Sequence, residues 1–301
     1  MKRMTTCETH GSGLMTVSLP GIAFQKPGAT EMQAFESMKA MRAPLEKVLY
    51  FAIPWAEIID KNQRIDVEKV FEELKPFQNK RPIAVTVCQH PEYKRLMDTF
   101  CFLGLSAVYA SHCSVRDSVT FPGVWIRPFP LYACNVEDPQ RRLGLVSVPA
   151  ADKSLFYSFA GLYAASGVRG RLFDMRHPKR GFIEDTQLLS HYNEALSHSV
   201  FALCPVGVGT NTSRIWEALG VGTIPVILAD GLVLPHIGAD WAEAAVVMKE
   251  KDVEHVASML SRYTAEDIER LCRAGAVAYS RCSGDKFASC IVEELMVNKS
   301  I

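Results

Sequence analysis

Residues 201–228, FALCPVGVGTNTSRIWEALGVGTIPVIL, contain the pattern that decides the fold. The apolar run that ends at Cys204 predicts a buried strand. A loop with two glycines follows, and the next residues predict a helix from Ser213 to about Leu219. A second apolar run over residues 223–228 predicts another strand. The order of strand, loop, helix and strand is typical of a parallel βαβ unit.

The same alternation of strands and helices extends over the rest of the chain. Further strands are predicted at residues 48–53, 83–88, 105–110, 123–127, 155–163 and 244–248, and further helices at 67–74, 91–102 and 186–198. The sequence therefore predicts an α/β protein with parallel sheets. Asp138-Pro139 and Pro149 are turn signals, so we expect two Rossmann-like domains, residues 1–148 and 149–301.

The composition of the 301 residues excludes several classes of protein. Lysine plus arginine and aspartate plus glutamate both number 33, and the absence of a basic excess argues against a nucleic-acid partner. Nine cysteines without a Cys-x-x-Cys pair argue against zinc ribbons. The apolar residues near the start are interrupted, so neither a signal peptide nor a membrane span is expected. We expect a cytoplasmic protein, and peripheral association with a membrane through a partner stays open.

The loop and helix start after Cys204 predict a phosphate site. Glycine lets the backbone approach a ligand closely, and the unpaired N–H groups of a helix start attract anions. The expected contributors from this loop are Gly209, Thr210, Asn211 and Ser213. Arg214, in the first helical turn, can bind two phosphate oxygens at once. The segment is therefore a candidate binding site for the diphosphate of a nucleotide.

Glu217 follows Arg214 by three residues, and its carboxylate could accept hydrogen bonds from both hydroxyls of a ribose. An alternative is that Gly207 and Gly209 serve only a tight turn and that Arg214 and Glu217 form an exposed ion pair. A capping box does not explain Glu217, because that motif with Ser213 needs a carboxylate at position 216. The ribose contact and the surface ion pair both remain open at this point.

The stretch resembles the exostosin-like glycosyltransferases, glycosyltransferase family 47. The shared features are a Cys-Pro-x-Gly turn, a polar loop before an arginine, a glutamate and an alanine, and a Gly-x-Ile-Pro-Val strand; they fall on Cys204, Pro205, Gly207, Arg214, Glu217, Ala218, Gly222, Ile224, Pro225 and Val226. The upstream LFYSFAG and RGRL segments, and residues 192–199, are also similar to that family. The resemblance covers residues 155–235.

The resemblance implies a GT-B fold, in which two Rossmann domains face each other. Residues 1–148 would form the domain on the acceptor side, and residues 149–301 would form the domain that holds the nucleotide sugar. It also implies inversion at the anomeric carbon, a UDP-sugar donor and a glycan or glycoconjugate acceptor. Arg169 would join Arg214 in stabilising the departing diphosphate, with Arg171 and Arg176 as alternatives to Arg169. The N-terminal Gly-x-Asp-His signature of that family is not found in this chain.

Catalysis by inversion also needs a base for the acceptor hydroxyl. We expect it from the N-terminal domain, where Asp117, His90 and Glu57 follow predicted strands. Residues of these types at such positions are more often surface or capping residues than bases, and that alternative stays open for each. No Asp-x-Asp occurs, so no metal cofactor is expected, and the absence of a Gly-Lys pair excludes a Walker A loop.

Two other functions fit the same residues. The first is a fucosyltransferase-like GT-B enzyme with a GDP-sugar donor. A comparison of the binding of UDP and GDP would distinguish it from an enzyme that uses a UDP-sugar. The second is a catalytically silent protein that binds nucleotide sugars or glycans, which would bind donor without turnover.

Overall fold

The computed structural model describes residues 4–80, 83–117, 123–163, 166–238 and 240–297. The chain divides into two compact units. Unit 1 comprises Met1–Pro130, Val233–Pro235 and Gly284–Ile301, and unit 2 comprises Leu131–Leu232 and His236–Ser283. Within the described ranges, no helix combines the length and the apolar character needed to cross a membrane.

Unit 1 is built on a six-stranded sheet whose strands lie in chain order. The strands are β1 (Thr6–Thr9), β2 (Met15–Ser18), β3 (Val48–Ala52), β4 (Ile83–Cys88), β5 (Ala107–Ala110) and β6 (Trp125–Pro128). β1 and β2 pair antiparallel, and every later pair is parallel. All residues of β3 are buried, as expected for an interior parallel strand.

The helices of unit 1 are α1 (Thr30–Ala40), α2 (Trp55–Asp60), α3 (Val67–Gln78), α4 (Met97–Phe102) and α12 (Ser289–Val297), with short 3-10 helices at Tyr93–Leu96 and Gly284–Lys286. The antiparallel pair of β1 and β2 was not predicted from the sequence. The four residues of β1, TCET, are mostly exposed and have no apolar alternation, so the periodic signal of a strand is missing.

Unit 2 is built on a five-stranded sheet in which all pairs are parallel, in the order β11-β10-β9-β7-β8. The strands are β7 (Leu155–Ala160), β8 (Gly181–Glu184), β9 (Ser199–Pro205), β10 (Ile224–Leu228) and β11 (Val246–Met248). The helices are α5 (Cys134–Glu137), α6 (Gly167–Asp174), α7 (Leu189–His198), α8 (Ser213–Gly220), α9 (Trp241–Ala244), α10 (Val256–Leu260) and α11 (Ala265–Arg281), with 3-10 helices at Ala150–Asp152 and Glu250–His255. The α/β fold with parallel sheets is confirmed.

The units divide the chain at a different place from the expected boundary at residues 148 and 149. The segment before that boundary packs within unit 2, where the backbone N–H of Val146 donates to Ser197 and the side chain of Asn193 donates to the carbonyl of Leu143. Chain direction changes at Pro139 and Pro149, but these turns lie inside one unit. The return of the last segment to unit 1 has no local sequence signal, because it depends on contacts far apart in the chain, such as Ser37 with Asp285.

Candidate functional site

The site lies at the point in unit 2 where the order of the strands reverses. β7 and β9 are parallel neighbours, but the chain leaves β7 toward β8 on one side and leaves β9 toward β10 on the other. Open α/β sheets bind ligands in the crevice at such a switch point, outside the carboxyl ends of the strands. Those ends are Ala160 and Pro205, and the segments that follow them contain Arg169 and Arg214.

The side chain of Arg214 is buried at this edge, with only 7% of the residue exposed. Its guanidinium lies 4.4 Å from the ring centroid of Phe159 and 5.1 Å from that of Tyr192. Nη2 donates to the carbonyl oxygen of Ala160. Nη1 is buried and has no hydrogen-bond partner among the described residues. A buried donor without an acceptor destabilises the folded protein. The arrangement is therefore typical of a group that donates a hydrogen bond to a bound ligand.

Arg169 reaches the same crevice from the first turn of α6. Its Nε donates to the carbonyl oxygen of Val206 at 3.2 Å, and its guanidinium lies 5.3 Å from the ring centroid of Phe159. Burial, and then the positive charge of Arg214, lower the pKa of Arg169 to about 10. Arg169 therefore keeps its charge at neutral pH, and the two guanidinium groups repel each other across Phe159.

Two glycines make room for these side chains. A Cβ atom on Gly161 would lie 3.1 Å from Nη2 of Arg214, and one on Gly207 would lie 2.7 Å from Nη2 of Arg169. Neither position requires a left-handed backbone. The glycines are therefore needed here for the close approach of the guanidinium groups to the ends of β7 and β9.

The two positive charges have no acidic ion-pair partner in the described ranges. Within the described parts of the chain, no carboxylate lies within ion-pair distance of Arg169 or Arg214. Two adjacent cations in a partly desolvated crevice are unfavourable by themselves and become favourable when an anion binds. The geometry can therefore hold a phosphate or diphosphate group.

The loop between β9 and α8 borders the pair. The carbonyl oxygen of Gly209 accepts a hydrogen bond from the N–H of Gly207, and the side chain of Asn211 accepts from the N–H of Thr212. The N-cap of α8 is Thr212, whose side chain makes no capping hydrogen bond. The predicted residues Gly209, Thr210, Asn211 and Ser213 thus lie beside the crevice, and their contact with a ligand stays a prediction.

The structure places Glu217 differently from the sequence-based hypotheses. It is completely buried in α8. Its Oε1 accepts from the N–H of Asn135 at 3.1 Å, and its Oε2 accepts from the hydroxyl of Tyr192. An exposed ion pair with Arg214 is thereby excluded, because both carboxylate oxygens accept hydrogen bonds inside unit 2. The contact of Glu217 with a ribose stays a prediction. The helix face with Glu217 packs on α5, which sequence spacing alone does not reveal.

Two other side chains of unit 2, Arg171 and Trp216, have roles in packing. The guanidinium of Arg171 donates to the carbonyl oxygens of Glu250 and Lys251, so it is held away from the crevice. Trp216 is buried and packs edge-on against the ring of Trp241, with centroids 5.5 Å apart. It is a core residue of unit 2.

The three candidate bases lie in unit 1, in segments that follow the parallel strands β3, β4 and β5. The hydroxyl of Tyr93 donates to Asp117 at 2.5 Å, and Lys94 forms an ion pair with it. Burial by itself raises the pKa of Asp117, but hydrogen bonds from Lys94, Tyr93 and Ser114 hold it below its usual value. A carboxylate with a lowered pKa is a weak base, so this geometry is typical of a residue that fixes a loop.

Both ring nitrogens of His90 also have hydrogen-bond partners in unit 1. Nδ1 accepts from the N–H of Glu92 at 3.0 Å, which leaves the proton of a neutral imidazole on Nε2, 2.9 Å from a carboxylate oxygen of Asp60. Glu57 lies half-buried in the first turn of α2. Its carboxylate accepts no hydrogen bond from the described residues. The identity of the base stays a prediction.

Phe159 and Tyr192 are site residues whose roles the sequence did not reveal. Both occur in segments that carry the family resemblance, the Phe-x-Gly end of β7 and the tyrosine of α7. Their positions were visible in the sequence. Their contact with Arg214 was not, because it joins β7, α7 and α8 at the switch point.

The part of the chain that contains both arginines is similar to proteins of known families. Residues 127–263, which include both arginines, match the Exostosin GT47 domain. A protein from Oryza sativa subsp. japonica named "Probable glucuronosyltransferase" is 34% identical over 144 residues, covering 44% of this chain and 33% of that protein. An Arabidopsis thaliana protein named "Probable beta-1,4-xylosyltransferase IRX10" is 32% identical over 170 residues, covering 52% of this chain and 38% of that protein.

The chain thus spans between 33% and 38% of the length of these curated relatives. Among solved structures, Anabaena HepE in complex with UDP-glucose is 11% identical with a TM-score of 0.46, covering 91% of this chain and 98% of that one. An alpha-glucosyltransferase in complex with UDP-glucose and DNA is 13% identical with a TM-score of 0.45, covering 88% and 84%. The match over residues 127–263 confirms that this segment is similar to the exostosin-like glycosyltransferases of family 47.

Proposed function

We propose that the chain is an inverting glycosyltransferase that transfers a sugar from a UDP-sugar donor to a glycan or glycoconjugate acceptor. The observation that carries the proposal is the pair of arginines at the switch point of unit 2. Among the described residues neither arginine forms an ion pair with a carboxylate, and one buried donor of Arg214 has no hydrogen-bond partner. A nucleoside diphosphate supplies the missing negative charge. The similarity to proteins named as glucuronosyl- and xylosyltransferases supports this chemistry.

The arginine pair would contribute to the reaction at its leaving group. As the bond between the anomeric carbon and the diphosphate breaks, negative charge grows on the phosphate oxygens. Fixed donors aimed at that charge stabilise the transition state more than the ground state. Nη1 of Arg214 and the guanidinium of Arg169 would supply these donors, and the proposal needs no metal ion for this step.

The acceptor hydroxyl needs a base, which we assign to unit 1. Asp117 and His90 already hold hydrogen bonds within that unit. Glu57 is therefore the first candidate to test by substitution, ahead of the other two. A cytoplasmic site of action is also part of the proposal, because buried thiols such as Cys88, Cys113 and Cys204 form no disulfide, as is usual in reducing compartments.

A second function is favoured by one observation: the side chains of Asp117 and His90 are both hydrogen-bonded within unit 1. A protein that binds nucleotide sugars without turnover would have the arginine pair and lack a base. It would bind UDP-sugars but release no UDP, with or without an acceptor.

A panel of nucleotides tests the proposal. A nucleotide that binds only the folded state, supplied at a hundred times its Kd, raises the free energy of unfolding by about 2.7 kcal/mol. We expect UDP to raise the melting temperature more than GDP, CMP or dTDP, and we expect UDP release from UDP-xylose or UDP-glucuronic acid. A larger effect of GDP would favour the fucosyltransferase-like enzyme, and binding without UDP release would favour the silent protein.

A further inference from the structure

The carboxylate of Glu217 takes part in a buried chain of contacts that ends at Arg214. Its Oε1 accepts from the N–H of Asn135 at 3.1 Å and lies 3.5 Å from the sulfur of Cys134. Its Oε2 accepts from the hydroxyl of Tyr192. Glu217 is completely buried, so these contacts exclude water. The carboxylate therefore fixes the position of the Tyr192 hydroxyl.

The ring of Tyr192 in turn contacts the guanidinium of Arg214, whose other ring contact is Phe159. Burial, with the negative charge of Glu217, raises the pKa of Tyr192 well above its usual value. The hydroxyl thus keeps its proton and remains a donor at any physiological pH. A tyrosine held at its hydroxyl cannot turn away from Arg214, and a cation held beside aromatic rings keeps one orientation.

We infer that Glu217 and Tyr192 are positioning residues, which hold the Arg214 guanidinium so that Nη1 faces the bound diphosphate. This inference rests on the proposed diphosphate site. It replaces the ribose contact expected of Glu217, because both carboxylate oxygens already have partners inside unit 2. The two roles differ in the ligand group that they affect: positioning acts on the diphosphate, and a ribose contact acts on the nucleoside.

Substitutions at both residues, with two ligands, separate these roles. Tyr192→Phe keeps the ring and removes the hydroxyl, and Glu217→Gln removes the charge. We expect each variant to weaken the binding of UDP and of inorganic pyrophosphate by the same factor, about two- to tenfold, as is typical for loss of one hydrogen bond. The double variant should lose little more than the single variants, because the residues act through one contact.

Tyr279→Phe is the matched control. The hydroxyl of Tyr279 donates to Glu137 at the end of α5, so this variant loses the same kind of hydrogen bond without removing a contact of Glu217, Tyr192 or Arg214. We expect it to bind both ligands as the unchanged protein does. In an Arg214→Gln background, Tyr192→Phe should have no further effect, since the group that it positions is gone. A merely structural role of Tyr192 would still weaken binding there.

Calorimetry on the full chain, with circular dichroism to confirm folding, decides the matter. Weaker UDP binding by Glu217→Gln with unchanged pyrophosphate binding would restore the ribose contact and overturn the inference. Unchanged affinity of Tyr192→Phe for both ligands would also overturn it while leaving the proposed function intact. If Glu217→Gln does not fold, Tyr192→Phe gives the answer alone. Failure of the unchanged protein to bind either ligand would overturn both proposals.

Discussion

Removal of the charge on Arg214 should weaken nucleotide binding by a predictable amount. In Arg214→Gln the diphosphate loses a charge-assisted hydrogen bond from a desolvated guanidinium, because Nη1 has no other partner among the described residues. Such a bond contributes about 1.5 to 3 kcal/mol. Since 1.4 kcal/mol is a factor of ten in Kd, we expect UDP to bind about 10- to 150-fold more weakly.

Isothermal titration calorimetry with UDP and with inorganic pyrophosphate measures this effect. Arg273→Gln is the control, because it removes the same charge from an exposed position in unit 2, where the arginine is 70% exposed and pairs with Glu269. It should leave both affinities within about twofold, as surface pairs contribute little. A folded Arg214→Gln variant that binds UDP as tightly as the unchanged protein would refute the placement of the diphosphate.

Three further outcomes are expected from the sequence and the structure. Gly207→Ala should fold but push the guanidinium of Arg169 out of place, so that UDP binding weakens, whereas Gly167→Ala, with open space around the new Cβ atom, should bind normally in the same titration. Transfer or donor hydrolysis should continue in EDTA, and complete loss of activity that manganese restores would disprove this. Burial lowers the pKa of Lys153 to about 8, so between about pH 8 and 10.5 the unfolded chain binds more protons at this residue. The free energy of unfolding of the unchanged protein, minus that of Lys153→Met, should thus increase as the pH rises through this range. Chemical denaturation of both proteins at several pH values measures this difference, and a difference that does not change with pH would contradict the effect.

The sequence predicts the parts of the site that are local in the chain. The strand, glycine loop and helix around Arg214 occur within one short segment, where hydrophobic periodicity and turn residues carry the signal. Arg169 was named because its segment resembles the same family. For Arg214 the residue type and its place in the helix start after a strand carried the prediction, and for Arg169 the resemblance carried it.

Contacts between distant segments could not be read in this way. Glu217 has the spacing of a surface partner of Arg214, yet the helix face on which it lies packs on α5, so its partners are Asn135 and Tyr192. The difference between the expected domain boundary and the division into units has the same cause. Prolines mark turns, but the unit to which a turn belongs depends on tertiary contacts such as that of Val146 with Ser197.

The most direct test of the account is a crystal structure of the chain with UDP bound. The account predicts that the diphosphate lies at the carboxyl ends of β7 and β9, with a phosphate oxygen within hydrogen-bond distance of Nη1 of Arg214 and a second contact from Arg169. UDP bound elsewhere, or bound with its phosphates away from both guanidinium groups, would contradict the central claim.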